Sequence, residues 1–208
     1  REYYLDEQVF TREKEWIFFR EWFCAGREEE LPDPGDYLLV EVAGESVLVV
    51  RTREGALRAH YNVCRHRGSQ LVIGVDPKPR GGEGTPVPTG NFPSGIRCPY
   101  HSWTYNLDGV LRTAPFLDEG SGFRKEDLPL FPVGLETWGG FIFLNLTPGD
   151  PNGREATLSA QLGAAPDRVR RYPLAELRTA RRIVYRVAAN WKVVLENYKP
   201  TALIQSII

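Results

Sequence analysis

The sequence predicts a mainly β chain: an antiparallel β-sandwich or barrel, preceded by one helix and followed by the beginning of an α+β unit. Two observations carry this prediction. Between Pro34 and Tyr61 the apolar residues follow the period of strands in three short runs, separated by Ala43-Gly44 and Glu54-Gly55, both of which suit tight hairpin turns. Two further hairpins are legible, 102–106 with 110–112 and 131–138 with 141–146, closed by Asp108-Gly109 and Gly139-Gly140. Short strands at this spacing are typical of closed or sandwiched antiparallel sheets.

In chain order, residues 1–35 form a lead-in. Asp6 or Thr11 is placed to cap a helix whose apolar face holds Val9, Phe10, Trp16, Ile17, Phe19 and Phe23,. A short strand at 22–26 follows, and Cys24 within it reads as a small buried hydrophobe. The main domain is expected over 36–147, opening with strands at 36–42, 45–53 and 57–61. His60 lies at the end of the third and reads as structural. Residues 74–95 are dominated by Gly and Pro and read as an inserted, mobile surface loop. Residues 147–153 have a linker's composition, so 148–208 is expected to hold the linker and the truncated start of a second domain. There, 158–162 and 166–174 are expected to be partly helical, 178–188 alternates like a strand, and 190–198 reads as a helix.

Composition narrows the function classes. The formal charge of −1 gives no reason to expect nucleic acid or an anionic membrane as partner. There is neither an apolar run of about 18 residues nor a signal peptide, so a cytoplasmic protein is expected. Cys24 would lack a disulfide partner if the other two cysteines were committed to metal, which suits a reducing compartment. The chain has no Met, even at position 1, so its natural start is expected to lie elsewhere.

The chemistry concentrates in two short segments, Cys64-Arg65-His66-Arg67-Gly68 and Cys98-Pro99-Tyr100-His101-Ser102-Trp103. Each places one thiolate and one imidazole within a turn of chain. Four of the six Cys and His residues of the sequence fall in these two knuckles. Cys64, His66, Cys98 and His101 are therefore the candidate metal ligands. A structural zinc is one reading, because Cys₂His₂ is a zinc set. Zinc fingers, however, pair Cys with Cys and His with His. A Cys and a His in each knuckle suits a dinuclear centre better, since replacing two thiolates by two imidazoles on one iron of a [2Fe–2S] cluster makes a Rieske centre.

Cys-x-His followed by Cys-x-x-His, with Pro99 after the second Cys and aromatics around His101, resembles the Rieske domain of the large subunits of non-haem iron oxygenases. Trp138-Gly139-Gly140-Phe141-Ile142-Phe143-Leu144-Asn145 and 190–198 resemble the end of that domain and the first helix of the family's catalytic domain. Respiratory Rieske proteins add a Cys to each knuckle to form a disulfide, and this sequence does not. The resemblance implies a Rieske-type β-sandwich, with Cys64, His66, Cys98 and His101 holding a [2Fe–2S] cluster. Backbone N–H groups after each Cys are expected to donate to the cluster sulfurs, and Trp103 and Tyr100 to shield them.

The resemblance further implies a mono- or dioxygenase in which electrons from an NAD(P)H-dependent reductase, taken directly or through a ferredoxin, cross the cluster to a mononuclear Fe(II). Such proteins are trimers that act on small organic molecules by hydroxylation or demethylation. The pattern breaks after Tyr198. The family's catalytic helix continues into two His iron ligands, whereas here no His follows His101. The Fe(II) ligands are thus absent from this sequence, and a cut chain or a join after Tyr198 is expected. The alternative is a Rieske ferredoxin, an electron carrier with no substrate of its own.

Overall fold

The computed structural model describes residues 2–73, 89–117, 122, 124–148, 157–181 and 187–198. Among the described residues, ten strands form two antiparallel sheets, one of seven strands in the order β1-β10-β9-β4-β3-β2-β5 and one of three in the order β6-β7-β8. The strands of the large sheet are β1 (Phe23–Arg27), β2 (Asp36–Val42), β3 (Glu45–Arg51), β4 (Leu57–Tyr61), β5 (Thr89–Asn91), β9 (Pro132–Trp138) and β10 (Phe141–Asn145). The small sheet consists of β6 (Ile96–Arg97), β7 (Thr104–Tyr105) and β8 (Leu111–Thr113). The mainly β, antiparallel fold expected from the strand spacing is the one observed.

Turn chemistry explains the hairpins. Ala43 and Gly44 have φ of 52° and 95°, and Gly139 and Gly140 have 59° and 80°. Two consecutive positive φ values match the right-handed twist of the flanking strands. Strand β3 shows why the core has two compartments. Its run Val47-Leu48-Val49-Val50 is fully buried, and successive residues point to opposite faces. Val47 and Val49 join Leu38, Ala59, Val133, Ile142 and Leu144 in one cluster. Because that cluster draws on both β2–β4 and β9–β10, the large sheet curls around it. Leu48 and Val50 face the other way, into a second cluster with Ile96, Trp103, Tyr105, Leu107 and Leu130. Cys64 and Cys98 belong to that second cluster.

Several expectations are corrected. Cys24 is exposed, because β1 is an edge strand and its register against β10 shifts between Cys24 and Gly26. The N-terminal segment is helical over α1 (Glu2–Leu5) and α2 (Glu7–Glu13), with Asp6 accepting from the Gln8 N–H at 2.7 Å, and then widens into a π-helical turn at Lys14–Phe18. Phe19 and Phe23 pack on the curled core, whereas Trp16 is 60% and Phe10 40% exposed. The helix packs instead against α5 (Trp191–Tyr198): Phe18 meets Trp191 edge-on at 5.2 Å, and the Trp191 indole donates to Glu13 at 2.8 Å.

Part of the expected surface loop is a strand, since Thr89–Asn91 pairs with β2 through Asp36, Tyr37 and Leu38; residues 74–88 lie outside the described residues. Residues 178–181 and 187–188 are not strand. Residues 174–179 are instead tied to the sheet by side chains: Arg27 donates to the Leu174 and Leu177 carbonyls at 3.1 and 2.7 Å, and Glu29 accepts from the Thr179 N–H at 2.6 Å. Residues 182–186 lie outside the described residues. Beyond the sheets, α3 (Leu158–Leu162) and α4 (Ala165–Val169) are single turns, and Asn190 caps α5 by accepting from the Lys192 N–H at 3.0 Å.

Candidate metal centre

Both knuckles are closed by the same pair of backbone hydrogen bonds. In the first, the Cys64 N–H donates to the Ser69 carbonyl at 2.8 Å and the Gly68 N–H to the Cys64 carbonyl at 3.1 Å. In the second, the Cys98 N–H donates to Trp103 at 2.8 Å and the Ser102 N–H to Cys98 at 3.1 Å. The fourth residue after each Cys is left-handed, Gly68 at φ 69° and Ser102 at φ 61°. Glycine adopts this conformation freely. Ser102 is tied at both ends: its hydroxyl accepts from Arg97 at 2.8 Å and its carbonyl accepts from Thr104 at 3.1 Å. The two loops thus form a near-symmetric pair, although the His is two residues after the Cys in one and three in the other.

This closure brings like groups together. Cys64 and Cys98 are 3% and 2% exposed, and the neighbouring Cys98 adds to the cost of ionising Cys64. Burial is the main force pushing the Cys64 thiol up,. The imidazoles pair further out: the His66 and His101 rings lie 4.8 Å apart, edge to face. His66 is exposed, yet its ring stacks on Trp103 at 4.8 Å and 11°. Its pKa is lowered by desolvation first and then by His101 and Arg67, which favours the neutral, ligating form. His101 Nδ1 is buried without a hydrogen-bond partner.

Among the described residues, no three His, Cys, Asp or Glu side chains converge to hold one metal ion. The donors instead divide into a buried thiol pair and an outer imidazole pair. Two thiols in a dry core ionise only with a compensating cation. The buried, unpartnered His101 nitrogen calls for one as well. This donor set fits a dinuclear iron–sulfur group.

Sequence reasoning missed Tyr105. Its ring is fully buried, and its hydroxyl lies 3.3 Å from Cys64 Sγ and accepts from the Arg65 N–H at 3.0 Å. The first N–H after Cys64, expected to reach a cluster sulfur, is therefore committed to Tyr105. Burial and the Cys64 contact push the phenol pKa upward, so Tyr105 keeps its proton. With its oxygen accepting from Arg65 and its proton retained, the hydroxyl can donate to a deprotonated Cys64. The sequence showed only that a second aromatic follows Trp103, in β7; nothing local marked its contact with Cys64. Of the two expected shields, Trp103 is 3% exposed and Tyr100 is 60% exposed; the Tyr100 ring lies 3.7 Å from that of His101. His60 is buried behind the site, with neither ring nitrogen hydrogen-bonded.

Comparison with known proteins agrees with this geometry. The chain is 36% identical over 198 residues to the carnitine monooxygenase oxygenase subunit of Acinetobacter baumannii, covering 94% of this chain and 48% of that protein. It is 33% identical over 195 residues to the glycine betaine monooxygenase oxygenase subunit of Pseudomonas aeruginosa, covering 94% and 41%. The chain spans about half the length of the curated relatives it matches. Among solved structures, the apo form of the quaternary ammonium Rieske monooxygenase CntA superposes with a TM-score of 0.79 at 36% identity, covering 95% of this chain and 52% of that one. A naphthalene 1,2-dioxygenase superposes with a TM-score of 0.65 at 32% identity, covering 79% and 33%. Residues 21–132, more than half of the chain, match the model of the Rieske [2Fe–2S] domain, and the chain belongs to that family.

Proposed function

We propose that this chain is the cluster-binding part of a Rieske non-haem iron oxygenase acting on a small quaternary ammonium compound. The observation that carries the reading is the division of donors into buried Cys64 with Cys98 and outer His66 with His101. These four residues would hold the [2Fe–2S] cluster, which when bound accepts and releases one electron, at a potential of roughly −150 to +300 mV. Trp103 excludes water from the cysteine side, and Tyr105 supplies a hydrogen bond to Cys64. The exposed His66 edge is the place where an electron can enter or leave. A single zinc would need at least three donors converging on one point, and the absence of such a group among the described residues favours the dinuclear site.

In this reading residues 36–147 form the cluster domain, 1–35 its lead-in, and 148–208 the linker and the start of the catalytic domain. Electrons come from an NAD(P)H-dependent reductase, directly or through a ferredoxin, and the oxygenase is a cytoplasmic homotrimer. Oxygen activation needs an iron with open positions held by a 2-His-1-carboxylate set. After the cluster ligands only His60 remains, so a mononuclear Fe(II) must be held by residues other than these. The relatives named for carnitine and glycine betaine support a quaternary ammonium substrate and oxidative removal or hydroxylation of one of its carbons. Coverage of the chain through to those relatives favours an oxygenase over a lone ferredoxin.

Iron and sulfide analysis of the purified chain tests the reading. Two irons and two sulfides per chain, with visible absorbance, are expected. One zinc and no colour would overturn it.

A further inference from the structure

We propose that Asn62 is a positioning residue for this site: its buried amide seats Leu71 against the paired cysteines and so sets how readily water and solutes reach them. The proposal rests on the cluster reading above for what is protected, and names the part of this chain that protects it.

Asn62 directly follows β4 and is 3% exposed. Its side-chain amide makes all four of the hydrogen bonds open to it. Oδ1 accepts from the Leu71 and Val72 N–H groups at 3.1 and 2.9 Å, and Nδ2 donates to the Val72 carbonyl at 2.7 Å and the Ser46 hydroxyl at 3.2 Å. Its own backbone N–H donates to the Ser46 carbonyl at 2.9 Å, on β3. One side chain thus joins the two ends of the loop that carries Cys64 and His66 and ties both to the sheet. Two N–H donors meeting Oδ1 also fix which way the amide points.

The end held in this way covers the thiols. Leu71 is 5% exposed and lies in the same buried cluster as Cys64, Cys98 and Trp103, with Val72 packed against it. Its neighbours on either side turn outward, Gln70 being exposed and Ile73 69% exposed. Residues 68–73 belong to neither helix nor strand, so the Asn62 amide takes the place of a ladder. The second knuckle differs, because Trp103 is followed at once by β7 and is held by the small sheet. The apolar shell around a metal site controls solvent access to it, and here the part of that shell contributed by Leu71 hangs on one polar side chain. Losing that side chain would strand buried donors and an acceptor and favour local opening of this loop while the sheets stay folded.

Pulsed alkylation of the purified protein with iodoacetamide in the absence of oxygen, read by mass spectrometry at each cysteine, tests this without any turnover. Cys24 is exposed and serves as the fast internal reference. Cys64 and Cys98 are expected to react slowly in the wild type and about tenfold faster in Asn62→Leu, which is of similar size but makes none of the four bonds. Leu71→Ala should accelerate both cysteines likewise, and the double variant should be no faster than the faster single one, because both changes open the same cover. Visible absorbance in excess chelator should decay in the same order. Leu38→Ala, in the other core cluster, is the control for general destabilisation and should leave both rates near those of the wild type. Wild-type rates in Asn62→Leu, or rates that follow the urea midpoint alike in Asn62→Leu and Leu38→Ala, would overturn the proposal. Should Asn62→Leu fail to fold, Asn62→Asp, which keeps the acceptor but loses both donors, carries the same comparison. The outcome is separable from the cluster reading: protein without iron and sulfide sinks that reading alone, since alkylation still reports access to the two thiols.

Discussion

Replacing Tyr105 by Phe isolates one hydrogen bond of the proposed cluster site. The ring is fully buried and the hydroxyl lies 3.3 Å from Cys64 Sγ, so the variant keeps the packing and removes the donor. A hydrogen bond to a charged acceptor contributes about 1.5–3 kcal/mol. Only the part that grows when the sulfur gains electron density alters the potential, and about 1 kcal/mol is a reasonable share of that range. At 59 mV per tenfold change for one electron, this converts to a potential lower by about 40 mV. The fall has a definite sign, because the donor stabilises the reduced, more negative state. Removing the hydroxyl also strips the Arg65 N–H of its acceptor, and an orphaned buried donor costs about 1–3 kcal/mol of stability. A potentiometric titration followed by visible absorbance reads the first effect, and urea unfolding of the same variant reads the second. A stable, coloured Tyr105→Phe protein with an unshifted or raised potential would refute the assigned direction of this hydrogen bond.

Two further outcomes concern the packing behind the site. A Cβ on Gly109 would sit 2.5 Å from His60 Cε1 at a φ of +90°; Gly109→Ala should therefore cost about 2–4 kcal/mol from strain and overlap, with His60→Ala recovering part of it in the double variant. Full additivity of the two losses in urea unfolding would mean that the contact is not made. His60 carries a pH dependence: burial lowers its pKa first, the Arg58 charge adds to this, and Asp108 and the nearby Leu107 carbonyl, which falls short of hydrogen-bond geometry, oppose it. The unfolded chain then binds the proton more readily than the folded one, so this contribution is fully present above about pH 6.5 and is lost as pH falls below it. Urea midpoints at pH 7.5 and 5.5 should diverge less in His60→Leu than in wild type, and an equal divergence would remove His60 as a source.

The strand pattern, the hairpin turns and the candidate ligands are all local properties, and they could be read without a structure. Alternation of apolar residues sets which strand faces are buried, and Ala43-Gly44 or Gly139-Gly140 closes a hairpin by its own backbone preferences. The knuckles are equally local, since each gathers its Cys and His within a few residues. Other features depend on which segments end up adjacent, and the chain's local pattern carries no record of that. The exposure of Cys24 followed from β1 forming the edge of the sheet, and the strand at 89–91 from an unpaired β2 edge that could accept it. The aromatic N-terminal helix was partly left in solvent because its neighbour is α5 rather than the curled core. The role of Tyr105 was likewise invisible: its hydroxyl meets Cys64 from forty-one positions away, in a contact that exists only once the small sheet closes over the large one. Burial then decides the chemistry, because two thiols and an unpartnered imidazole nitrogen enclosed together require a cation that the sequence can only suggest.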